Sequence, residues 1–128
     1  MKYLLLIYQE ERTAPNEAER EQCYKDSTAL AQNLAAKGQF VAAAPLHPTA
    51  AATSVRVREG KRLVTDGPFA ETREQLGGYF LVDVATLDEA LNIAARIPAA
   101  TSGTVEVRPL RELAGLSEDA ALARQTVP

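Results

Sequence analysis

The chain has 128 residues, of which 46% are hydrophobic and 24% are charged, and its formal net charge is −3 at pH 7. These values predict one globular domain that can fold without metal or disulfide support, and they exclude a disordered chain. Because the balance is acidic and the Lys and Arg residues are scattered, nucleic acid is not expected as a partner.

The first predicted element is a strand over Tyr3 to Tyr8, a run that is apolar on both alternating faces. This pattern is typical of a strand that is covered on both sides of its sheet. The run is too short for a membrane span or a signal-peptide core, and the polar residues Gln9 to Arg12 follow it in place of a cleavage site. We therefore expect a cytoplasmic protein with no membrane partner.

A helix is predicted to follow this strand. Asn16 can cap its beginning, with Glu19 three residues later, and Gly38 offers a C-terminal stop. The residues that repeat at helical spacing between these limits are Cys23, Ser27, Leu30 and Leu34. Cys23 is interpreted as a small core residue, and since it is the single cysteine, no disulfide, zinc site or other cofactor is predicted.

A second strand and a hairpin come next. Gln39 to Ala44 reads as a strand that Pro45 stops. Thr53 to Arg58 alternates valine with polar residues, the turn Glu59 to Lys61 reverses the chain, and Arg62 to Thr65 runs back. This alternation predicts a hairpin with one side facing solvent or a ligand.

The segment between this hairpin and the next strand is predicted to be the least regular part of the domain. Asp66 to Phe69 ends the hairpin, and the stretch to Gly78 is too polar for a strand. One helical turn is expected over Glu71 to Gln75. We interpret the segment as a loop that lies over a pocket.

Two further strands and a second helix complete the pattern. Tyr79 to Val84 predicts a strand, Thr86 to Glu89 forms a capping box that opens a helix, and Pro98 closes that helix. Thr104 to Arg108 alternates as a last strand. The helix is expected to bury one face, made of Leu87, Ala90, Leu91, Ala94 and Ala95.

The order of these elements predicts an α+β domain with a ferredoxin-like split βαβ arrangement and an antiparallel sheet. Both helices then lie on one face of the sheet, so the other face is open. Because the first strand is apolar on both sides, a second copy of the chain is expected to cover the open face. The sequence therefore predicts a homodimer.

The domain is predicted to span residues 1–110, and residues 111–128 to form a C-terminal tail. Ser117 can cap a short helix over Glu118 to Arg124. This tail has too little apolar surface for a domain of its own, so its helix is expected to pack on the partner or to fray.

A long run of residues carries a family resemblance. Val64 to Phe80, followed by Leu87 to Ala90, Pro98, Gly103 and Val105 to Pro109, closely resembles the DGPF branch of the YCII-related (YciI-like) family. The match covers most of residues 1–110. The resemblance implies a dimeric α+β barrel, in which two ferredoxin-like sheets pack face to face, and a branch without an established reaction that is sometimes encoded beside alternative sigma factors.

In YciI-like relatives, a His on the first helix and an Asp near its end are the suspected active-site pair. The resemblance places Ser27 and Ala36 at these positions of the present chain. Neither side chain can act as the general acid or base that the pair would supply.

Asp66 and His47 are the candidate catalytic residues. Asp66 lies between a strand and a Gly-Pro turn, where its carboxylate can face a pocket or accept backbone N–H groups as an Asx-type turn residue. His47 is the only histidine, near the end of a strand, and can be a base near neutral pH or a loop residue.

The candidate ligand-binding residues are Arg56, Arg58, Glu71, Tyr79 and Arg108. The three arginines take alternate polar positions of strands, where they can bind an anion or pair with carboxylates. Glu71 can pair with Asp66 for proton transfer or simply be solvated, and Tyr79 follows two glycines that let a ligand or another backbone come close.

Three hypotheses of function follow from these residues. The first is a regulatory accessory protein that binds a small molecule near the Asp66 to Gly78 loop. The second is a cofactor-independent enzyme in which Asp66 or His47 moves a proton. The third is a protein-interaction module that uses the tail from Arg111 onward.

Overall fold

The computed structural model describes residues 1–11 and 16–116. Two α-helices and six strands follow one another in the order β1 (Lys2–Gln9), α1 (Glu17–Ala36), β2 (Phe40–Pro45), β3 (Thr53–Arg58), β4 (Lys61–Asp66), β5 (Gln75–Asp83), α2 (Leu87–Arg96) and β6 (Thr104–Pro109). Short 3₁₀ turns occur at Thr49–Ala51 and Pro98–Thr101. No helix of the described residues is long and apolar enough to cross a membrane.

Four strands form one antiparallel sheet in the order β2-β5-β1-β6, and β3 and β4 form a separate hairpin. Apart from that inserted hairpin, the order is that of a ferredoxin-like split βαβ fold, so the predicted fold class is confirmed. The hairpin leaves the sheet after β2 and returns to it at β5.

The hydrophobic core lies between the sheet and both helices. Leu5 of β1, Val82 of β5 and Leu34 of α1 are fully buried at 0% exposure, and α2 contributes Ala90 and Ile93. Burying one large aliphatic side chain of this kind contributes about 1.5–3 kcal/mol to folding. Because side chains alternate along a strand, the residues next to these in β1 and β5 point to the opposite face of the sheet.

The limits of α1 confirm the predicted caps. The Oδ1 atom of Asn16 accepts a hydrogen bond from the backbone N–H of Glu19 at 2.9 Å, which satisfies a donor left free at the helix start. Gly38 follows the helix with a φ of 72°, a left-handed conformation that glycine adopts without steric cost. Local sequence alone therefore determines both ends of this helix.

The buried face of α2 differs from the predicted one. Leu87 and Leu91 are 49% and 46% exposed, and the helix buries Ala90, Ile93 and Ala94. Ile97, just after the helix, is 2% exposed and extends the buried stripe. The helix thus packs on the sheet through the stripe that contains Ile93 and Ile97, and the two leucines lie beside that stripe. The predicted stop at Pro98 is confirmed, since a 3₁₀ turn begins there.

The segment before β5 also differs from the prediction, because it contains no helical turn over Glu71–Gln75. Gln75 already belongs to β5, which continues through Gly77 and Gly78. A Cβ on Gly78 would lie 3.1 Å from the carbonyl oxygen of Ala44, so the glycine allows β2 to approach β5 closely. Side-chain to backbone hydrogen bonds, such as Gln75 Nε2 to the carbonyl of Thr72 at 2.8 Å, hold the preceding loop in place of a helical turn.

The face of the sheet away from the helices is open in the single chain. Its residues in the two central strands include Leu4, Leu6, Tyr79 and Leu81, which are partly exposed. At one end of this face the hydroxyl of Tyr8 donates to Glu106 at 3.3 Å. Partial burial and the nearby Glu106 carboxylate raise the pKa of Tyr8 above its usual value.

The hairpin of β3 and β4 extends from the domain as an arm, which we call the β3–β4 arm. Its predicted turn is tighter than expected, with only Glu59 and Gly60 between the paired residues Arg58 and Lys61. Both turn residues have positive φ angles, 51° and 74°, as type I′ hairpin turns require. The predicted single wet side is wrong for the isolated chain, because even the valines of β3 are 62% exposed.

The predicted tail helix and its cap at Ser117 lie outside the described residues. Residues 110–116 follow β6 without a helix or strand. The backbone N–H of Leu110 still donates to the carbonyl of Lys2 at 2.9 Å, so the sheet contact of β6 extends to that residue.

Candidate functional site

A cavity of about 260 Å³ lies between α1 and the sheet, and we call it the helix–sheet cavity. Its floor is apolar and includes Ile7, Phe40, Phe80 and Ile97. The rings of Phe40 and Phe80 meet edge to face, with centroids 6.5 Å apart, which fixes the floor between β2 and β5. The wall contributed by α1 carries the polar groups.

Small residues on α1 explain why this space is empty. Cys23, Ser27 and Ala31 follow one another at intervals of four, so they lie on one side of the helix and line the cavity. One turn further along, Leu30 and Leu34 fill the same interface with large buried side chains. The helix therefore packs closely against the sheet at Leu30 and Leu34 and leaves a cavity beside its middle turns, from Cys23 to Ala31.

Cys23 lies half-buried on the cavity wall, and not in the closed core that its spacing predicted. Burial raises the pKa of its thiol above the usual 9.0, the negative charge of Asp26 raises it further, and a hydrogen bond with Ser27 partly offsets both effects. The thiol is therefore protonated at neutral pH and acts as a weak hydrogen-bond donor, since only the thiolate is a strong nucleophile.

The helix–sheet cavity opens into a wider groove of about 910 Å³, which we call the outer cleft. Gln9, Cys23, Tyr24, Gly77 and Ala99 line both spaces, so the two are continuous. Besides Cys23 and Tyr24, the charged and titratable side chains that line the outer cleft are Glu10, Glu11, Glu19, Arg20, Asp26 and His47. A molecule that reaches from one space into the other passes from an apolar floor to a polar, mainly acidic mouth.

Two contacts fix the loops around this mouth. The carboxylate of Glu11 accepts hydrogen bonds from the backbone N–H and the hydroxyl of Thr49, at 2.7 and 2.6 Å. Arg73 forms an ion pair with Glu10. The connections on both sides of the β3–β4 arm are thus held to the end of β1, beside the outer cleft.

Two of the residues predicted from the sequence lie at this site. His47 lines the outer cleft, between Leu46 and Pro48. Tyr79 borders the helix–sheet cavity through strand β5, while its position opposite Leu6 directs its side chain to the open face of the sheet. Among the predicted site residues, only His47 therefore contributes a titratable side chain to the outer cleft.

The other predicted site residues line neither space. Arg56 and Arg58 lie on the exposed β3–β4 arm, and Asp66 ends that arm opposite Thr53. Glu71 lies in the exposed loop that follows, and Arg108 lies on β6 opposite Leu4. Their role in binding or catalysis stays a prediction.

Asp66 does not adopt the Asx-type turn considered from the sequence, because its carboxylate accepts no hydrogen bond within the described residues. The turn is held by other groups. The hydroxyl of Ser54 donates to the carbonyl of Gly67 at 2.8 Å, and the N–H of Gly67 donates to Ala52 at 2.7 Å. Gly67 has a φ of 99°, which requires glycine there.

The two positions where relatives carry their suspected catalytic pair lie apart. Ser27 faces the helix–sheet cavity, whereas Ala36 is exposed at the end of α1 and lines neither space. The carboxylates of the outer cleft are also too dispersed for a metal, since no group of three His, Cys, Asp or Glu residues in the described ranges could hold one.

The residues missed by sequence reasoning are the small ones on α1 and the acidic ones near its start. The spacing of Cys23, Ser27 and Ala31 was a usable signal, since small residues on a buried helix stripe leave room beneath them. The contribution of Glu10 and Asp26 had no such signal, because it depends on how the end of β1 meets the helix.

The fold and the cleft define a class of small α+β proteins with a ferredoxin-like sheet and a pocket between the sheet and its first helix. The chain belongs to the YCII-related family, since the YCII-related domain matches residues 1–114. An uncharacterized protein of Rhizobium meliloti (strain 1021) is 41% identical to it over 114 residues, which is 86% of this chain and 92% of that relative. The resemblance at the family level is therefore confirmed, and the DGPF branch stays a prediction.

Proposed function

We propose that this protein is a cytoplasmic, homodimeric accessory protein of the DGPF branch that binds a small organic molecule in the helix–sheet cavity. This site replaces the space beneath the Asp66 to Gly78 loop that the sequence suggested, because only Gly77 and Gly78 of that segment line the cavity. The branch assignment rests on the DGPF residues Asp66 to Phe69.

The observation that carries the proposal is the combination of an apolar floor with a few polar groups on one wall. Ligand sites are typically concave and mainly apolar, with a small number of polar groups that orient the ligand. Here the thiol of Cys23 and the hydroxyls of Ser27 and Thr28 are available on α1. At about 260 Å³ the cavity is slightly smaller than the usual range of about 300–1,000 Å³, so it fits only a small molecule.

Binding is favoured over catalysis because the cavity itself holds no general base, and its thiol is protonated. Catalysis by a proton transfer remains the second candidate, and the observation that supports it is the presence of His47 in the outer cleft. An enzyme of this kind would bind substrate in the cavity and present its reacting atom to the imidazole.

A second copy of the chain is proposed to cover the open face of the sheet. Leu4, Leu6 and Leu81 form an apolar centre on this face, with Ala42 beside Leu81. Exposed apolar surface of this kind marks an association site in soluble proteins. A two-fold axis would place the same leucines opposite one another, as an isologous interface requires.

The binding proposal is tested by screening a chemically broad library of small molecules by thermal shift and by NMR. A ligand that binds only the folded state stabilises it by about 2.7 kcal/mol when present at 100 times its Kd. We expect stabilising hits whose NMR shifts concentrate on α1, β2 and β5. Absence of any hit from the whole library, at concentrations that detect millimolar binding, would contradict the proposal.

A cavity-filling variant provides the control. Ala31→Leu places a larger side chain on the cavity wall, and Ala29→Leu adds the same atoms to an exposed position of α1 that lines neither space. The first variant is expected to lose ligand stabilisation while it remains folded, and the second to keep it. Equal loss or equal retention in the two variants would place the ligand elsewhere.

A further inference from the structure

We propose that the ligand is an amphiphilic cation, whose apolar body fills the helix–sheet cavity and whose ammonium or similar group lies in the outer cleft. This inference rests on the proposed binding function and specifies its ligand class. It depends on the continuity of the two spaces and on their difference in charge.

The charge of the outer cleft is carried mainly by carboxylates. Glu10 is paired with Arg73. Within the described residues, no ion pair is formed by Glu11, Glu19 or Asp26, and the only Lys or Arg side chain that lines the cleft is that of Arg20. Three carboxylates therefore face one guanidinium, so the field in the cleft favours a cation over an anion.

The carboxylates that line the cleft already have neutral hydrogen-bond donors, which fixes their positions without removing their charge. Glu19 accepts from the side-chain amide of Asn16 at 3.3 Å, and Asp26 accepts from Gln22 at 2.9 Å. Asp26 follows Cys23 by three residues on α1, so the two lie on the same side of the helix, and its charge contributes to the raised pKa of the Cys23 thiol on the cavity wall. The acidic groups are therefore held in place where a ligand leaves the cavity.

The helix–sheet cavity excludes a charge from its own interior. Its floor of aliphatic and aromatic side chains offers no ion to pair with, and an unpaired charge in such surroundings is unfavourable. A ligand with both an apolar and a charged part thus has one orientation available, with its charge outward.

Tyr24 is the aromatic residue at the junction of the two spaces. It lines both of them and is 46% exposed. The face of an aromatic ring attracts a cation within about 6 Å and offers nothing comparable to an anion. The ring of Tyr24 therefore favours a positively charged ligand, as the carboxylates do, but through a separate cation–π interaction.

Three probes with one apolar body and different charges test this inference: benzylamine, benzyl alcohol and benzoate. Their dissociation constants are measured at pH 7 by NMR titration of the isotope-labelled full chain. We expect the Kd of benzylamine to be about tenfold lower than that of benzoate, which corresponds to about 1.4 kcal/mol, with the alcohol between them. Added salt should weaken only the amine.

Charge-neutralising variants locate the effect. Asp26→Asn and Glu19→Gln keep the shape of the side chain, and each should raise the Kd of benzylamine about twofold to fivefold, as for exposed ion pairs, without changing that of benzyl alcohol. Glu21→Gln is the matched control, because Glu21 is an exposed residue of α1 that does not line the outer cleft.

The inference is overturned if benzoate or benzyl alcohol binds as tightly as benzylamine, or if benzylamine does not bind. It is also overturned if Glu21→Gln weakens the amine as much as Asp26→Asn does. The broader binding proposal fails on a different result, namely that no member of the whole library binds at the cavity. Neutral hits at the cavity with no amine among them would therefore leave the binding function standing and remove the cationic ligand.

Discussion

The two faces of the four-stranded sheet are built from neighbouring residues of the same strands, yet they meet different surroundings. In β1, Leu5 is fully buried beneath the helices, while Leu4 and Leu6 on the other face remain partly exposed. The sequence of β1 is equally apolar on both faces, so hydrophobic pattern alone does not tell which face the chain covers by itself. The covered face forms the core and the cavity, and the open face leaves apolar side chains partly exposed.

The largest expected effect separates the two faces directly. Leu5→Ala should lower the free energy of unfolding by about 2–5 kcal/mol, because it removes a fully buried side chain and leaves a cavity. Leu4→Ala should cost less than half as much at high dilution, where the chain is monomeric, and more at high protein concentration. Urea denaturation at two protein concentrations measures both, and equal costs for the two leucines at high dilution would contradict the assignment of faces.

The next effect tests whether a second copy covers the open face. Leu81→Lys places a charge at the apolar centre of this face, and sedimentation velocity at micromolar concentration should then show a monomer where the unchanged protein is a dimer. Leu91→Lys is the control, since Leu91 is an exposed leucine of α2 on the opposite side of the sheet. A monomer before any substitution would remove the proposed dimer.

A smaller change in stability is expected where the covered face borders the helix–sheet cavity. Ala31→Leu should raise the stability of the ligand-free protein by about 0.5–2 kcal/mol, because it fills part of the cavity with apolar atoms. Ala29→Leu should leave stability nearly unchanged. If Ala31→Leu instead destabilises the protein strongly, the space beside α1 is too narrow for those atoms and the cavity is not open as described.

The smallest effect concerns Cys23 at the mouth of the cavity. The pH dependence of its alkylation rate should give a pKa above 9.0, and Asp26→Asn should lower that pKa because it removes the neighbouring charge. Folding raises the pKa of the Cys23 thiol. The thiol therefore makes its full contribution to the free energy of unfolding at pH values below the pKa that it has in the unfolded chain. That contribution is lost as the pH rises above about 9 through the folded pKa. An unchanged alkylation profile in Asp26→Asn would place the carboxylate away from the thiol.

Much of the fold was predictable because its signals are local. The caps at Asn16 and Thr86, the positive φ at Gly38 and the alternation of β3 each depend on a few consecutive residues. The errors arose where tertiary contacts decide. The sheet buries Ile93 and not Leu91 of α2, and close approach of β2 turns Gly78 from a loop residue into a strand residue.

The candidate site was less predictable than the fold. The sequence directed attention to Asp66 and the arginines of the hairpin, which are chemically prominent, while the cavity depends on the absence of side-chain volume at Ser27 and Ala31. An empty space is defined by elements that are distant in sequence, here α1, β2 and β5. Only His47 was both chemically prominent and placed at the cleft.

The β3–β4 arm has a further consequence for the solubility of the protein. In the described part of the chain its strands pair only with each other, so each has an outer edge of unpaired backbone groups. Such edges can recruit strands from other molecules, and closely spaced positive charges hinder that stacking through mutual repulsion. Arg56, Arg58 and Arg62 therefore protect a valine-rich strand pair from aggregation while the chain folds.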